Sequence, residues 1–258
     1  MNKQISVEIC VDSSASAVAA QCGGAHRVEL CSSLAEGGTT PSLGLIESVR
    51  RKIGIGLHVI IRPRAGDFRY DAGDFESMKR DVLIAKQMGA DGVVFGILKE
   101  DGRIDTARAR QLVELATPLS TTFHRAFDMS SNLNQALEDI IAIGMHRVLT
   151  SGGEQRAEDG MSAVAKLVAA AQDRIAIMVG GGIRETNVRR ILAGTGAREI
   201  HANIGRTVPS PMRFRNDKIS LGSIKGREYQ RVIVSEDQVS RLVAAATESL
   251  NLAPTSAR

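Results

Sequence analysis

The sequence predicts the α/β class and, within it, a single (β/α)8 barrel of the TIM type that spans residues 1–258. Short apolar stretches alternate with helical stretches along the whole chain, and this alternation is typical of parallel βαβ units. Eight strands can be counted, and eight such units in about 250 residues match a closed barrel. The turns that lead from helix to strand also resemble one another, as GGAHR, MGADG, IGMHR and GTGAR, which indicates equivalent units. A doubly wound sheet is the alternative fold.

The predicted strands are short, and most are rich in apolar and β-branched residues. They cover residues 7–11, 27–31, 57–61, 92–95, 119–123, 147–150, 175–179 and 199–202. Helices are predicted where alanine and leucine are frequent and a glycine or proline then stops the helix. They cover residues 14–21, 42–52, 75–88, 106–116, 133–143, 161–171, 186–192 and 236–250. Ser42 is the predicted N-cap of the second helix. Residues 203–231 are predicted to be irregular, and a segment of this length is usually functional or partly mobile.

The composition excludes several classes of protein. The formal net charge is only +4, the basic residues are scattered, and the chain has no Trp, 2 Tyr and 6 Phe, so no surface for nucleic acid is indicated. No apolar run approaches the ~20 residues of a membrane span, and the first residues do not resemble a signal peptide. With three Cys and no secretion signal, we expect a reducing cytoplasmic environment and no disulfide framework.

A short motif occurs twice, as VEIC in the first predicted strand and VELC in the second. Glu8 shares a strand face with Cys10, because residues two apart in a strand point the same way. Glu29 shares a face with Cys31 for the same reason. If the strands are neighbours at equal depth, the thiols lie close together, and two thiolates suit a soft metal ion such as Cu(I). The spacing alone favours a simpler interpretation, two reduced cysteines that pack as small apolar side chains. Cys22 is interpreted as a packing residue of the first helix.

Ionisable residues follow the ends of several predicted strands, where (β/α)8 enzymes carry their active sites. A histidine beside an arginine and a carboxylate, as in TFHRAFD, can transfer protons or hold an acidic substrate. If the protein is an enzyme, the predicted catalytic residues are Glu8, Glu29, His58, His124 and Asp128. An internal network of salt bridges is the alternative interpretation, because a lone buried carboxylate is costly and must find a partner.

The stretch MVGGGIRETN after the seventh strand has the composition of an anion-binding turn. A glycine-rich turn that opens a helix exposes backbone N–H groups, and barrels commonly bind phosphate after strands seven and eight. A tight turn that simply needs glycine is the alternative. The predicted substrate-binding residues are Arg62, Arg125, Ser151, Gly181, Gly182 and His201. No GxSxG, HExxH or P-loop motif is present, and no nucleotide or organic cofactor is indicated.

Several longer motifs closely resemble the CutC copper-homeostasis family. They are EICVDS, RVELCSSLAEGGTTPSLG, IRPRAGDFRY, GADGVVFGIL, TFHRAFDM, RVLTSGG and SPMRFRN, and they extend in family order from residue 7 to about residue 229. The resemblance implies a (β/α)8 barrel, a cytoplasmic location, a homo-oligomer, and Cu(I) bound by Cys10 and Cys31.

Two functions are therefore expected. The first is copper homeostasis through Cu(I) binding by paired cysteines at the mouth of the barrel. The alternative is a TIM-barrel enzyme of unassigned reaction that acts on a small anionic metabolite, a carboxylate or a phosphate. Neither function involves nucleic acid or a membrane.

Overall fold

The computed structural model describes residues 4–221 and 226–248. The barrel strands are β1 (Ser6–Val11), β2 (Arg27–Leu30), β3 (Gly56–Ile60), β4 (Gly92–Phe95), β5 (Ser120–Phe123), β6 (Arg147–Thr150), β7 (Ala176–Val179) and β8 (Glu199–Ala202). The helices are α1 (Ser14–Cys22), α2 (Leu43–Arg50), α3 (Ala72–Gln87), α4 (Thr106–Ala116), α5 (Leu133–Ala142), α6 (Met161–Ala171), α7 (Val188–Thr195) and α8 (Glu236–Glu248). All eight strands run parallel and close into a barrel in chain order, with β1 paired to both β2 and β8. The predicted (β/α)8 barrel is confirmed.

Capping residues set the beginnings of several helices. Ser42 is the N-cap of α2 as predicted, and its hydroxyl accepts a hydrogen bond from a backbone N–H of the first turn. The helix α3 begins at Ala72 rather than at residue 75, because the Asp71 carboxylate accepts from the Asp74 N–H and caps the helix earlier. The predicted last residues of the final helix, 249–250, lie outside the described residues.

The segment of residues 203–231, predicted to be irregular, contains regular structure. Here β9 (Arg206–Pro209) pairs antiparallel with β10 (Gln230–Ile233). Most of the side chains of both strands are exposed, so the sequence has no apolar alternation to reveal them. Each strand gains its backbone hydrogen bonds from a partner far along the chain, which a local pattern does not show. We call the described residues from the start of β9 to the end of β10 the arm.

Alternate residues of a barrel strand face two different environments. In β1, Val7, Ile9 and Val11 belong to the main apolar core, which the strands share with the buried faces of the helices. Glu8 and Cys10 alternate with them and face the barrel interior. The apolar faces of the helices pack into this core.

Over the described residues, none of the helices is long and apolar enough to cross a membrane.

Ion pairs fill the N-terminal end of the barrel interior. Arg27 donates to the carboxylates of Glu8 and Glu199. Arg147 donates to Glu199 from the other side. Arg27, Arg147 and Glu199 are the first residues of β2, β6 and β8, so this layer lies at one end of the barrel. The polar residues later in the strands therefore gather at the opposite, C-terminal end.

Candidate functional site

A pocket of about 290 Å³ lies among the C-terminal ends of the barrel strands. The predicted site residues that line it are Cys10, Glu29, Arg62, His124, Arg125, Gly181, Gly182 and His201. The predicted residues that do not line it are Glu8, Cys31, His58, Asp128 and Ser151. Its apolar walls are Leu34, Ile60, Phe68 and Leu149. Two larger depressions, both lined by Arg69, Leu98, Lys99 and Glu100, contain neither cysteine nor histidine.

The two cysteines of the repeated motif meet at this pocket. The Sγ atoms of Cys10 and Cys31 are 3.6 Å apart, and both residues are buried. Cys10 is in register with Glu29, whose Oε2 lies 3.4 Å from the Cys31 Sγ. The prediction that the thiols lie close together is confirmed. Cys22 is exposed, so the prediction that it packs is wrong: it is the last residue of α1 and extends beyond the buried face of that helix.

Only one of the two thiols loses its proton readily. A hydrogen bond from Cys31 lowers the pKa of Cys10 to about 6, against the effect of burial and with help from His201. The same hydrogen bond, together with burial, raises the pKa of Cys31. The pair therefore holds one thiol and one thiolate at neutral pH. The thiolate is the form that binds a metal ion.

His201 links the two glutamates of the repeated motif. Its Nδ1 is 2.7 Å from Glu8 Oε1, and its Nε2 is 3.8 Å from Glu29 Oε2. Burial opposes a charge on His201, but Glu29 and Glu8 outweigh burial and raise its pKa well above the ordinary value. Burial also opposes the charge of Glu8, yet Arg27 and His201 hold the pKa of this carboxyl well below its usual range. Burial raises the pKa of Glu29 to about 8 although His201 opposes the shift, so this carboxyl can exchange its proton near neutral pH.

His58 and His124 are neutral at physiological pH. Burial lowers the pKa of His58 to about 4 and that of His124 to about 3. The Nδ1 of His124 accepts a hydrogen bond from the Ala126 N–H at 3.2 Å, so the ring proton is on Nε2. The His58 Nδ1 lies 3.8 Å from Glu8 Oε2 and makes no hydrogen bond within the described residues. Because His58 does not line the pocket, only His124 of these two can contact a ligand there.

Asp128 anchors the loop after β6 instead of facing the pocket. Its carboxylate accepts hydrogen bonds from the backbone N–H groups of Ser151 and Gly153 and from the hydroxyls of Thr150 and Ser151. It also accepts one from Arg125 Nε at 2.8 Å. These donors occupy both oxygens of the carboxylate, and Asp128 does not line the pocket. Asp128 and Ser151 therefore support the position of Arg125 at the pocket wall.

Gly181 and Gly182 line the pocket with left-handed backbone angles, φ +102° and +76°. The expected turn-to-helix junction is not formed, because α7 begins only at Val188, after a separate turn in which Asn187 accepts from the Arg184 N–H. Within the described part of the chain, neither glycine N–H donates to an acceptor. The unpaired N–H groups, and not a helix end, are therefore the donors that this loop offers to the pocket.

The sequence analysis missed the ion-pair layer below the pocket. In the sequence, charged residues at the beginning of a strand usually indicate solvent exposure. The three charged residues of this layer are instead largely buried, namely Arg27, Arg147 and Glu199. A signal was present for one of them: Arg27 lies two residues before Glu29, so it must share the inward face of β2. Phe68 was missed as well, because it comes from a loop without a periodic pattern.

The fold and the pocket define a (β/α)8 barrel protein with a buried pair of cysteines at the C-terminal face of the barrel. The family model described as the CutC family matches residues 5–206. The chain belongs to the CutC family, and the resemblance carried by its motifs is confirmed.

Named relatives agree with this assignment. Over 245 residues the chain is 46% identical to a Homo sapiens protein named copper homeostasis protein cutC homolog. The matched region covers 95% of this chain and 90% of the relative. Over 236 residues it is 47% identical to a family protein CutC of Chromobacterium violaceum, covering 92% and 96% of the two chains. The crystal structure of the putative copper homeostasis protein CutC from Streptococcus agalactiae is similar, with a TM-score of 0.73 and 34% identity over 77% of this chain and 98% of that one.

Proposed function

We propose that this chain serves copper homeostasis in the cytoplasm by binding Cu(I) between Cys10 and Cys31. The observation that carries the proposal is the 3.6 Å separation of the two buried Sγ atoms. Cu(I) prefers soft thiolate ligands, and the lowered pKa of Cys10 supplies a thiolate at neutral pH. The names of the relatives, copper homeostasis proteins, support the same function.

The set of donors favours Cu(I) over zinc. In the part of the chain that the structure describes, the metal-capable group around the thiols contains one further residue, Glu29. A structural zinc site takes four ligands, mostly cysteine and histidine. Among the described residues His201 does not join this group but forms a second one with Glu8 and Glu29. A two-thiolate site therefore suits a soft ion that needs few ligands.

An anaerobic titration with Cu(I) against a competing chelator tests this proposal. The Cys10→Ser/Cys31→Ser variant should bind Cu(I) more than about 100-fold more weakly than wild type. The loss of a residue that only supports a metal ligand costs roughly 10–100-fold, and this variant loses both ligands themselves. Cys22→Ser is the matched control, because Cys22 is exposed at the end of α1 and is not part of the buried pair. It should bind as wild type does, and circular dichroism should give the same folded spectrum for all three proteins. Undiminished Cu(I) binding by the double variant would overturn the proposal.

A barrel enzyme acting on a small anionic metabolite is the second candidate function. It is favoured by one observation: the pocket holds more polar groups than two thiolates need, among them the His201–Glu29 pair, which can hold a mobile proton. Incubation with a panel of small carboxylates and phosphate esters, followed by proton NMR, tests it. Turnover that is present in wild type and abolished in Glu29→Gln would support an enzyme, and no turnover across the panel would count against it.

A further inference from the structure

Two buried nitrogen atoms in the pocket wall have no hydrogen-bond partner within the described residues. They are His124 Nε2 and Arg62 Nε. The two residues are only 4% and 5% exposed, so solvent does not satisfy these atoms. A buried donor without an acceptor costs free energy, and native proteins keep few of them. Both side chains flank Phe68, with the Arg62 guanidinium 5.2 Å and the His124 ring 5.0 Å from its centroid.

The hydrogen bonds of the two side chains fix both free atoms as donors. The Nδ1 of His124 is the acceptor for the Ala126 N–H, so Nε2 carries the hydrogen. Arg62 donates through its terminal nitrogens to the backbone carbonyls of Glu36, Gly38 and Gly66. These carbonyls hold the guanidinium in place without neutralising its charge, and they leave Nε–H unused.

Further donors line the same pocket. Arg125 is held by Asp128 and by Ser151, so its guanidinium is in a fixed position at the pocket wall. Gly181 and Gly182 offer backbone N–H groups that have no acceptor in the described part of the chain. Of the acceptors that line the pocket, Cys10 and Glu29 belong to β1 and β2, and the Asp128 carboxylate, outside the pocket, is fully engaged. The donors of this wall therefore lack acceptor atoms, and a negatively charged acceptor would bind them best.

We infer that this pocket binds the oxyanion group of a small organic acid or phosphate ester, with His124 Nε2–H and Arg62 Nε–H as its buried donors. Arg125 and the N–H groups of Gly181 and Gly182 complete the donor set. The inference rests on the second candidate function and is independent of copper.

The size and walls of the pocket restrict the rest of the ligand. A volume of about 290 Å³ is just below the ~300–1,000 Å³ usual for small-molecule sites. Leu34, Phe68 and Leu149 offer apolar contact to a short carbon skeleton. A bare inorganic ion would leave these walls empty. The ligand class is accordingly a metabolite of a few carbon atoms that carries one carboxylate or phosphate group against the donors.

Isothermal titration of copper-free protein with malonate, glycerol 3-phosphate and inorganic phosphate at constant ionic strength tests the inference. At least one organic anion should bind, more tightly than inorganic phosphate. His124→Asn should weaken that binding roughly 10- to 100-fold, because Asn still accepts from the Ala126 N–H but does not reach the position of Nε2. His146→Asn is the matched control: the His146 Nδ1 also accepts a backbone N–H, from Thr121, and His146 lies outside the pocket. It should bind as wild type does.

A second readout separates contact from mere structural support. On binding, the nitrogen chemical shift of His124 Nε2 in wild type should move, while that of His146 should not. No binding of any of the three anions to wild type, or equal binding by His124→Asn, would overturn the inference. Because no copper is present, anion binding without Cu(I) affinity would leave this inference standing and remove the copper proposal. The reverse result would remove only the anion site.

Discussion

His201 and His124 line the same pocket but hold different charges at neutral pH. His201 lies between Glu8 and Glu29, and these carboxyls outweigh burial and raise its pKa. His124 has no carboxylate partner; burial and Arg62 lower its pKa to about 3. The partner of each ring, and not its depth, decides its charge. His201 is thus suited to balance negative charge on the thiol side, and His124 is suited to donate one neutral hydrogen bond.

The lowered pKa of His124 predicts a specific dependence of stability on pH. In the unfolded chain this histidine binds a proton below about pH 6.5, whereas in the folded protein it stays neutral down to about pH 3. The unfolded state therefore binds more protons in that window, and the contribution of His124 to stability falls as the pH is lowered through it. His124→Asn lacks this titration. Between pH 7 and pH 4, wild type should lose on the order of 3 kcal/mol more free energy of unfolding than the variant does.

Urea unfolding of both proteins across this pH range, at constant ionic strength, measures the difference. All other titrating groups are common to the two proteins, so their contributions largely cancel in the comparison. Curves of unfolding free energy that run parallel from pH 7 to pH 4 would contradict the lowered pKa.

The strand β4 makes room for the histidines of its neighbours. A Cβ atom at Gly92 would lie 2.5 Å from the His58 Nε2, and one at Gly96, just after the strand, would lie 2.7 Å from the His124 ring. Real side chains do not approach so closely. His58 belongs to β3 and His124 follows β5, so glycine on the strand between them lets both rings lie inside the barrel.

Gly92→Ala should therefore destabilise the protein by about 1–3 kcal/mol, the usual cost of overpacking a dense interior. Gly44→Ala is the matched control, because Gly44 lies in α2 with no atom within 4 Å of its added Cβ. There the exchange should stabilise by about 0.5–1 kcal/mol, since alanine is the better helix former. Denaturant unfolding of both variants gives the two values. Equal changes in the free energy of unfolding for the two variants would show that contact with His58 does not prevent a side chain at position 92.

Elements with a strong local signal could be predicted from the sequence, and contacts set by distant chain segments could not. The alternation of strands and helices and the repeated Glu-x-Cys motif are local, so the barrel and the thiol pair followed from them. The pairing of β9 with β10 depends on residues far apart in the chain. Asp128 shows the same limit within the site: its carboxylate stood out in the sequence, but the donors that occupy it come from the loop after β6.

The whole barrel has two unlike ends. Ion pairs among Arg27, Arg147 and Glu199 fill the N-terminal end. Glu8 joins this layer to the pocket, because one of its oxygens accepts from Arg27 and the other faces His201. Loss of the Glu8 carboxylate would leave a buried arginine and a buried histidine short of a partner, which is expensive in an interior. The two glutamates of the repeated motif thus differ in their roles. Glu8 connects His201 to the ion-pair layer through Arg27, and Glu29 lines the pocket.

The arm predicts how whole molecules associate. It exposes large apolar side chains, with Phe214 76% and Leu221 74% accessible. Soluble proteins seldom expose several large apolar side chains in one segment unless the segment meets a partner. We expect the partner to be a second copy of this chain, as the family resemblance implies, with the arms in contact and the barrels intact.

Sedimentation velocity over a range of protein concentrations tests this expectation. Wild type should form an oligomer, and Phe214→Ser/Leu221→Ser should shift it toward the monomer while the barrel keeps its melting temperature, because neither side chain packs in the core. Leu43→Ser is the control, since Leu43 is an exposed leucine at the start of α2 and outside the arm. A wild type that stays monomeric, or a double variant that associates as strongly as wild type, would remove the arm as the interface. A monomer that still binds Cu(I) with wild-type affinity would further show that each barrel carries a complete thiol site.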